Sequence, residues 1–301
     1  DATGDGQLTL QQSFDHTRQR AMEHVTDRFQ DLLNIDNETL EDAKEMEAVY
    51  DDVRADPLYK KLLAMANVHT ADAFGLDIPS DADERMARAL HSDAWEKIEQ
   101  QDWFNSAQAM AENERFFHWE LEFPIAFYDQ DGERKDDAGF DAVIGNPPWV
   151  NVGRMKGKPA EADYYNEQFK TAEYQVDLYT LFLERGMNML SKGSPIGFIV
   201  PDPWLANYRT PKIREFLLIK NQPKKIIHTP QSAFPEVGAE HLIYVGERSN
   251  GFEHPFLRGE MKNDNKVDIN DEFSSSLLRE EDGYVVYTHS KVAPILNQIE
   301  S

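Results

Sequence analysis

Four consecutive residues, Asn146, Pro147, Pro148 and Trp149, carry the most pointed chemistry in the sequence. The Asn side chain offers one amide oxygen as an acceptor and one NH₂ as a donor. Pro147 has a fixed φ and no N–H, so its carbonyl is purely an acceptor. Two neighbouring acceptors can hold an exocyclic –NH₂, and the indole of Trp149 gives a planar ring a face to stack on, a contact worth about 1–3 kcal/mol. Together these groups suit an amino group on an aromatic ring. They would orient its nitrogen lone pair toward an electrophile without abstracting a proton outright. The bland alternative is a strand followed by a proline turn whose Trp packs in the core.

Such a set works only if something rigid delivers it. Phe140 to Ile144 is β-branched and aromatic, as a buried strand should be, and Gly145 with the two prolines stops it. That places Asn146 at the strand's C-terminal tip, where open α/β sheets bind ligands. Downstream, Leu178, Leu181, Phe182, Met189 and Leu190 form one stripe of a helix over Asp177–Leu190, closed by Lys192-Gly193. Ile196–Val200 is a strand ended by Pro201-Asp202-Pro203, and Lys212–Ile219 a helix. Lys225–His228, His241–Val245 and Gly283–Thr288 read as further strands, and Ser290–Ile299 as a last helix. This alternation predicts an α/β fold with a mostly parallel, doubly wound sheet.

Upstream, residues 1–115 read as a mainly helical, acidic region. Met22, Val25, Phe29, Leu32 and Leu33 stripe a helix within Phe14–Leu33, and further helices are expected from Leu40, from Pro57 and over Asp81–Glu99. Asp129-Gln-Asp-Gly-Glu133 suits a hairpin turn between strands at Phe123–Tyr128 and Phe140–Ile144. Residues 116–250 then form the region that carries the motif. Residues 251–301 loosen into polar loop and read as a linker leading to something further.

With 301 residues and 40% hydrophobic composition, the chain can bury a substantial core. No run approaches the roughly 18 apolar residues that span a bilayer, and no signal peptide is evident, so a cytoplasmic protein with no membrane partner is expected. The absence of cysteine excludes disulfides and thiolate metal sites and fits a reducing compartment. A net charge of −24 would repel nucleic acid and fits a surface adapted to a high-salt cytoplasm. The charge is uneven: residues 151–225 hold twelve Lys plus Arg against eight Asp plus Glu. There Arg154, Lys156, Lys158, Arg209, Lys212 and Arg214 are candidate phosphate contacts. Asp1, Thr3, Asp5 and Gly6 sketch half of an EF-hand loop, but Gln12 stands where a bidentate Glu belongs, and no metal is expected.

The Asn-Pro-Pro-aromatic sequence resembles the signature of the amino-methyltransferases that act on adenine N6 in DNA. The likeness extends to Phe116-Phe-His-Trp-Glu-Leu-Glu-Phe-Pro124, Gly139-Phe-Asp-Ala-Val-Ile-Gly-Asn-Pro-Pro-Trp149, Asp177-Leu-Tyr-Thr-Leu-Phe-Leu-Glu-Arg185 and Gly197-Phe-Ile-Val-Pro201. These stretches look like the large type IIG restriction-modification and phage-defence methyltransferases. The resemblance implies the later strands of a Rossmann-like methyltransferase sheet, double-stranded DNA as partner and S-adenosylmethionine as methyl donor. It further implies that the target adenine is flipped out of the duplex. Asn146 and the Pro147 carbonyl would then hold its N6, with Trp149 stacked on one face and Pro148 alongside. Phe234, in Ser232-Ala-Phe-Pro-Glu-Val237, matches the family's second aromatic wall. Asp177 and Tyr179 match the helix beside the pocket, and Pro201 and Trp204 the tip of the next strand.

The family's Gly-rich turn after its first strand, which holds the donor, has no counterpart upstream of Asn146. The expectation is therefore a chain holding the base-gripping half of a sheet and inactive alone. The donor-binding half and the target-recognition domain would lie elsewhere in the same polypeptide. Two rival readings use the same four residues: an amino-methyltransferase of protein glutamine or RNA, and a non-catalytic DNA- or partner-binding module of a defence complex.

Overall fold

A computed structural model describes residues 4–36, 38–154, 159–173, 175–233, 240–264 and 266–286. The chain divides into two compact units, Asp1–Ala138 and Gly139–Ser301. The break falls later than the composition change near residue 116 suggested. The first unit holds thirteen Lys plus Arg against thirty-three Asp plus Glu, so it carries −20 of the net −24 and the second unit is close to neutral.

The first unit is helical. Helices α1 (Gly4–Leu33), α2 (Leu40–Ala55), α3 (Pro57–Ala73), α4 (Ala82–Ala89), α5 (Trp95–Glu99) and α6 (Asp102–Glu114) precede two single turns, α7 (Trp119–Glu122) and α8 (Pro124–Phe127). Thr39 and Asp42 start α2 with a reciprocal capping box. Asp56 starts α3 by accepting the backbone N–H groups of Leu58 (2.8 Å) and Tyr59 (3.1 Å), with Pro57 in the first turn. The stripe residues Met22, Val25 and Phe29 enter a core with Tyr59, Met65, Val68, Met86 and Trp95. The helix expected over Asp81–Glu99 is split, because His91, Ser92 and Asp93 form turns there and Ser92 bonds back to Ala89. The strand expected over Phe123–Tyr128 is instead α8, whose first residue Pro124 has the φ a helix start needs. The turn at Asp129 stands: its Oδ1 accepts from the N–H groups of Asp131 and Glu133, and Tyr128 bridges Arg134. The EF-hand sketch does not: residues from Gly4 onward lie within α1, while Asp1 and Thr3 fall outside the described residues.

The second unit is an α/β domain. Its strands are β1 (Val143–Gly145), β2 (Pro195–Pro201), β3 (Gln222–His228), β4 (His241–Glu247), β5 (Phe256–Met261) and β6 (Val267–Phe273). Among them run helices α9 (Pro159–Gln168), α10 (Leu178–Asn188) and α11 (Pro211–Leu218). The sheet order is β1-β2-β4-β3-β5-β6. β1 pairs parallel with β2 and β3 parallel with β5, whereas β2–β4, β3–β4 and β5–β6 are antiparallel. The sheet is thus mixed rather than mostly parallel: β1, β2, β3 and β5 point one way, and β4 slots between β2 and β3 in reverse. The stretch expected to be a linker from residue 251 instead supplies β5 and β6, which extend the sheet. The edge strand β6 is charged, with Asp271 bonded to Arg258 and Asp268 to Lys262, which suits an edge left unpaired. Gly283 and Tyr284 have φ of +63° and +57°, so the strand expected to begin there does not; the helix expected over Ser290–Ile299 lies outside the described residues.

Candidate functional site

Close packing of helix on sheet fixes where β1 ends. A Cβ on Gly186 of α10 would lie 2.9 Å from Ile196 Cδ1 and 3.4 Å from both Phe198 Cζ and Val143 Cγ1, so the helix approaches β1 and β2 as only Gly allows. Gly139, with φ of +147°, lets the chain pass against the Leu190 backbone before β1, where Phe140 N–H donates to the Met189 carbonyl and the Phe140 carbonyl accepts from Ser191 N–H. β1 is shorter and less buried than its composition implies. Val143 faces α10, but Ile144, on the opposite face of this edge strand, is 90% exposed.

The chain beyond β1 is tied down at once. Leu178 N–H donates to the Val150 carbonyl (2.9 Å) and Val152 N–H to the Val176 carbonyl (2.8 Å). Asn151 Nδ2 donates to Asp177 Oδ1 (3.1 Å). These bonds clamp the segment carrying Trp149 onto the start of α10. Trp149 is half-buried, and its ring packs 5.7 Å from that of His241, tilted by 41°.

A cavity of about 160 Å³ lies beside the tip of β2. Trp149, Asp177, Tyr179, Pro201 and Trp204 all line it, together with Thr171 and Glu173. Its volume is close to the roughly 150 Å³ of engineered cavities that accept one benzene ring. One wall is held by Glu184, which is buried and accepts the N–H groups of Lys170 (3.1 Å) and Thr171 (2.8 Å). Another rests on Trp204, edge-on to the buried Tyr244, whose hydroxyl donates to the Leu217 carbonyl. The carbonyl of Trp204 is gripped in turn by Arg214. The surroundings are acceptor-rich. Burial, together with the charges of Asp177 and Asp202, raises the Tyr179 hydroxyl above its ordinary range. Burial, reinforced by Glu240, likewise pushes the Asp202 carboxyl up. Such a cavity suits a neutral flat ring bearing donor hydrogens and disfavours a phosphate.

Five of the candidates named from the sequence therefore share one cavity. Asn146 and Pro148 are exposed and Pro147 is buried at the end of β1, and none of the three lines the cavity. The Asn146 amide makes no side-chain hydrogen bond among the described residues. Phe234, Lys156 and Lys158 lie outside the described residues, as does the side chain of Arg154. Arg209 is exposed, with its guanidinium over the Tyr208 ring. Lys212 is exposed as well. Arg214 is a correction. It is fully buried, donating through Nε to the Gly283 carbonyl (2.5 Å) and through Nη1 to those of Trp204 (2.6 Å) and Asn207 (2.9 Å). Burial lowers its pKa to about 10, which leaves it charged at neutral pH. A guanidinium so occupied is a structural bolt and cannot reach a phosphate. Thr171, Asn207, Thr210 and His241 went unnoticed in the sequence. The first three lie in loops without a distinctive pattern, and His241 carried one usable signal, a polar ring opening an apolar strand.

An α/β domain with an aromatic cavity beside a strand tip, next to an Asn-Pro-Pro-Trp turn, defines a class that comparison narrows. Residues 16–234 match the model of the Eco57I restriction-modification methylase family, and the chain belongs to that family. It is 34% identical over 89 residues to the type II restriction enzyme and methyltransferase RM.Eco57I of Escherichia coli, a stretch covering 29% of this chain and 9% of that enzyme. It is 42% identical over 69 residues to the type II methyltransferase M.XhoI of Xanthomonas vasicola, covering 23% of this chain and 12% of the relative. The matches thus span about a tenth of these relatives' length. A solved nuclease-deletion form of the Type ISP restriction-modification enzyme LlaGI, bound to a DNA substrate mimic, overlaps 67% of this chain and 22% of its own. With 12% identity and a TM-score of 0.38, that overlap carries no argument.

Proposed function

We propose that this chain supplies the base-gripping part of an enzyme that methylates the N6 amino group of an adenine flipped out of double-stranded DNA, within a restriction-modification or phage-defence system. The observation that carries the reading is the gathering of Trp149, the last residue of the Asn-Pro-Pro-Trp turn, with Asp177, Tyr179, Pro201 and Trp204 around one ring-sized cavity. Family membership supports methyl transfer as the reaction class.

In this reading Asn146 Oδ1 and the Pro147 carbonyl accept the two N6 hydrogens. That turns the nitrogen lone pair out of the hydrogen-bonded plane, toward the incoming methyl group. Trp149 stacks on the base, and the cavity excludes water from it. The clamp between residues 150–152 and 176–178 fixes the backbone that carries Trp149, so the place of the stacking residue is preset and not won at each encounter.

The donor implied by the family is S-adenosylmethionine. The described residues contain no strand that leads through a Gly-rich turn into a helix N-terminus, the arrangement that cradles such a nucleoside. In this proposal the described residues serve the acceptor base, and the donor is bound outside them. The role of this chain concerns the acceptor base alone.

The test is Asn146→Ala in the full-length protein, assayed with radiolabelled donor on unmodified genomic DNA. Losing a polarising acceptor at the reacting centre is expected to lower kcat at least about 100-fold with little change in DNA affinity. Methyl transfer at the wild-type rate overturns the assignment, and label appearing in protein or RNA instead of DNA transfers it to a different substrate.

A further inference from the structure

We infer that His241 is a positioning residue for base stacking, a buttress that sets the angle at which Trp149 meets the flipped base; this rests on the role proposed for Trp149. His241 opens β4 and is fully buried, an uncommon place for an imidazole. Its register partner across the antiparallel pair is Pro201, the β2 tip residue that lines the cavity. Its carbonyl accepts both the N–H and the hydroxyl of Thr229, each at 3.0 Å, which fixes the strand's first residue between β2 and the chain leaving β3.

From that anchored position the imidazole packs 5.7 Å from the Trp149 ring. Trp149 borders the cavity and His241 does not. The indole therefore meets both a strand-anchored imidazole and the space for a planar ring. The clamp of residues 150–152 fixes the Trp149 backbone, but it leaves the χ angles of the side chain to be set by what packs on the ring. A ring at position 241 removes that freedom. A shorter or branched side chain leaves the indole room to tilt into the cavity or away from it.

The experiment is a double-mutant cycle in the full-length protein, with kcat and KM measured on unmodified genomic DNA for His241→Leu, Trp149→Ala and the pair. It is coupled to fluorine NMR of 5-fluorotryptophan-labelled protein, in which the Trp149 resonance is assigned by its loss in Trp149→Ala. Displacing a stacking group by about an ångström can cost on the order of 100-fold. His241→Leu is expected to lower kcat/KM by about 10- to 100-fold, to move the Trp149 resonance while leaving Trp95 and Trp103 in place, and to add almost nothing to Trp149→Ala. His241→Phe, which keeps a ring, should recover most of the rate and the original resonance. If His241→Leu does not fold, His241→Gln against His241→Phe makes the same comparison. An unmoved Trp149 resonance, or losses that multiply in the pair, overturns the buttress role and leaves the stacking role of Trp149 standing. Full activity in Trp149→Ala overturns both.

Discussion

Arg214 separates surface electrostatics from internal architecture. Its guanidinium donates to three carbonyls, of Gly283, Trp204 and Asn207, and the side chain is inaccessible to solvent. Arg214→Ala leaves those buried acceptors without their charged donor. Each buried acceptor left unsatisfied costs about 1–3 kcal/mol, so the three together are a large share of the roughly 5–15 kcal/mol that holds a domain together. Arg214→Lys keeps the charge but not the fork that serves three acceptors at once, so a loss of about 1–3 kcal/mol, one unsatisfied group, is expected. Urea unfolding followed by tryptophan fluorescence measures both, because Trp204 carries one of the three carbonyls. A phosphate contact behaves differently: stability stays, and the slope of log affinity against log salt flattens by about one unit. A stable Arg214→Ala protein with a flattened salt slope would refute the bolt.

Other perturbations probe the frame around the cavity. Gly186→Val should lose about 1–3 kcal/mol and lower Tm, because the first added carbon meets Ile196, Phe198 and Val143 at once; an unchanged melt would show that α10 can lift off the sheet. Glu184→Ala strands the buried N–H of Thr171 at about 1–3 kcal/mol and frees the part-buried N–H of Lys170, and hydrogen exchange at both should accelerate before the rest of the unit. For Asp202 the folded-state pKa is raised above the unfolded value. The folded form therefore holds the proton more tightly, and stability falls as pH climbs from the unfolded value near 4 through the raised one. Asp202→Asn should flatten stability across that window and be the more stable form at pH 7. A less stable variant there would show that the carboxylate is favoured by contacts other than those named.

The sequence disclosed what is local. The composition of residues 140–149 marked a strand and its abrupt end, and periodicity marked α1, α3, α10 and α11, because a buried stripe repeats every three to four residues whatever packs on it. Pro201 and Trp204 could be assigned to a strand tip because proline stops strands. Pairing order was not legible: nothing in His241–Glu247 says that β4 enters in reverse between β2 and β3, since that is decided by contacts distant in sequence. Ile144 misled because a strand's composition does not reveal whether both faces are covered. Arg214 misled for a related reason. A basic residue on a short helix reads as surface, and only the fold brings three carbonyls around it. The unevenness of the −24 charge was legible, since residues 1–115 already read as acidic, and the helical unit carries −20 of it.

The most direct measurement is the chemical identity of the product. The full-length protein is incubated with isotopically labelled S-adenosylmethionine and unmodified duplex DNA, and the DNA is digested to nucleosides for mass spectrometry. Label in N6-methyladenine, lost in Asn146→Ala and in Trp149→Ala, is the predicted result. Label in a methylated cytosine or in protein glutamine, or undiminished N6-methyladenine from the Asn146→Ala protein, would contradict an adenine-gripping role for the Asn146–Trp149 turn.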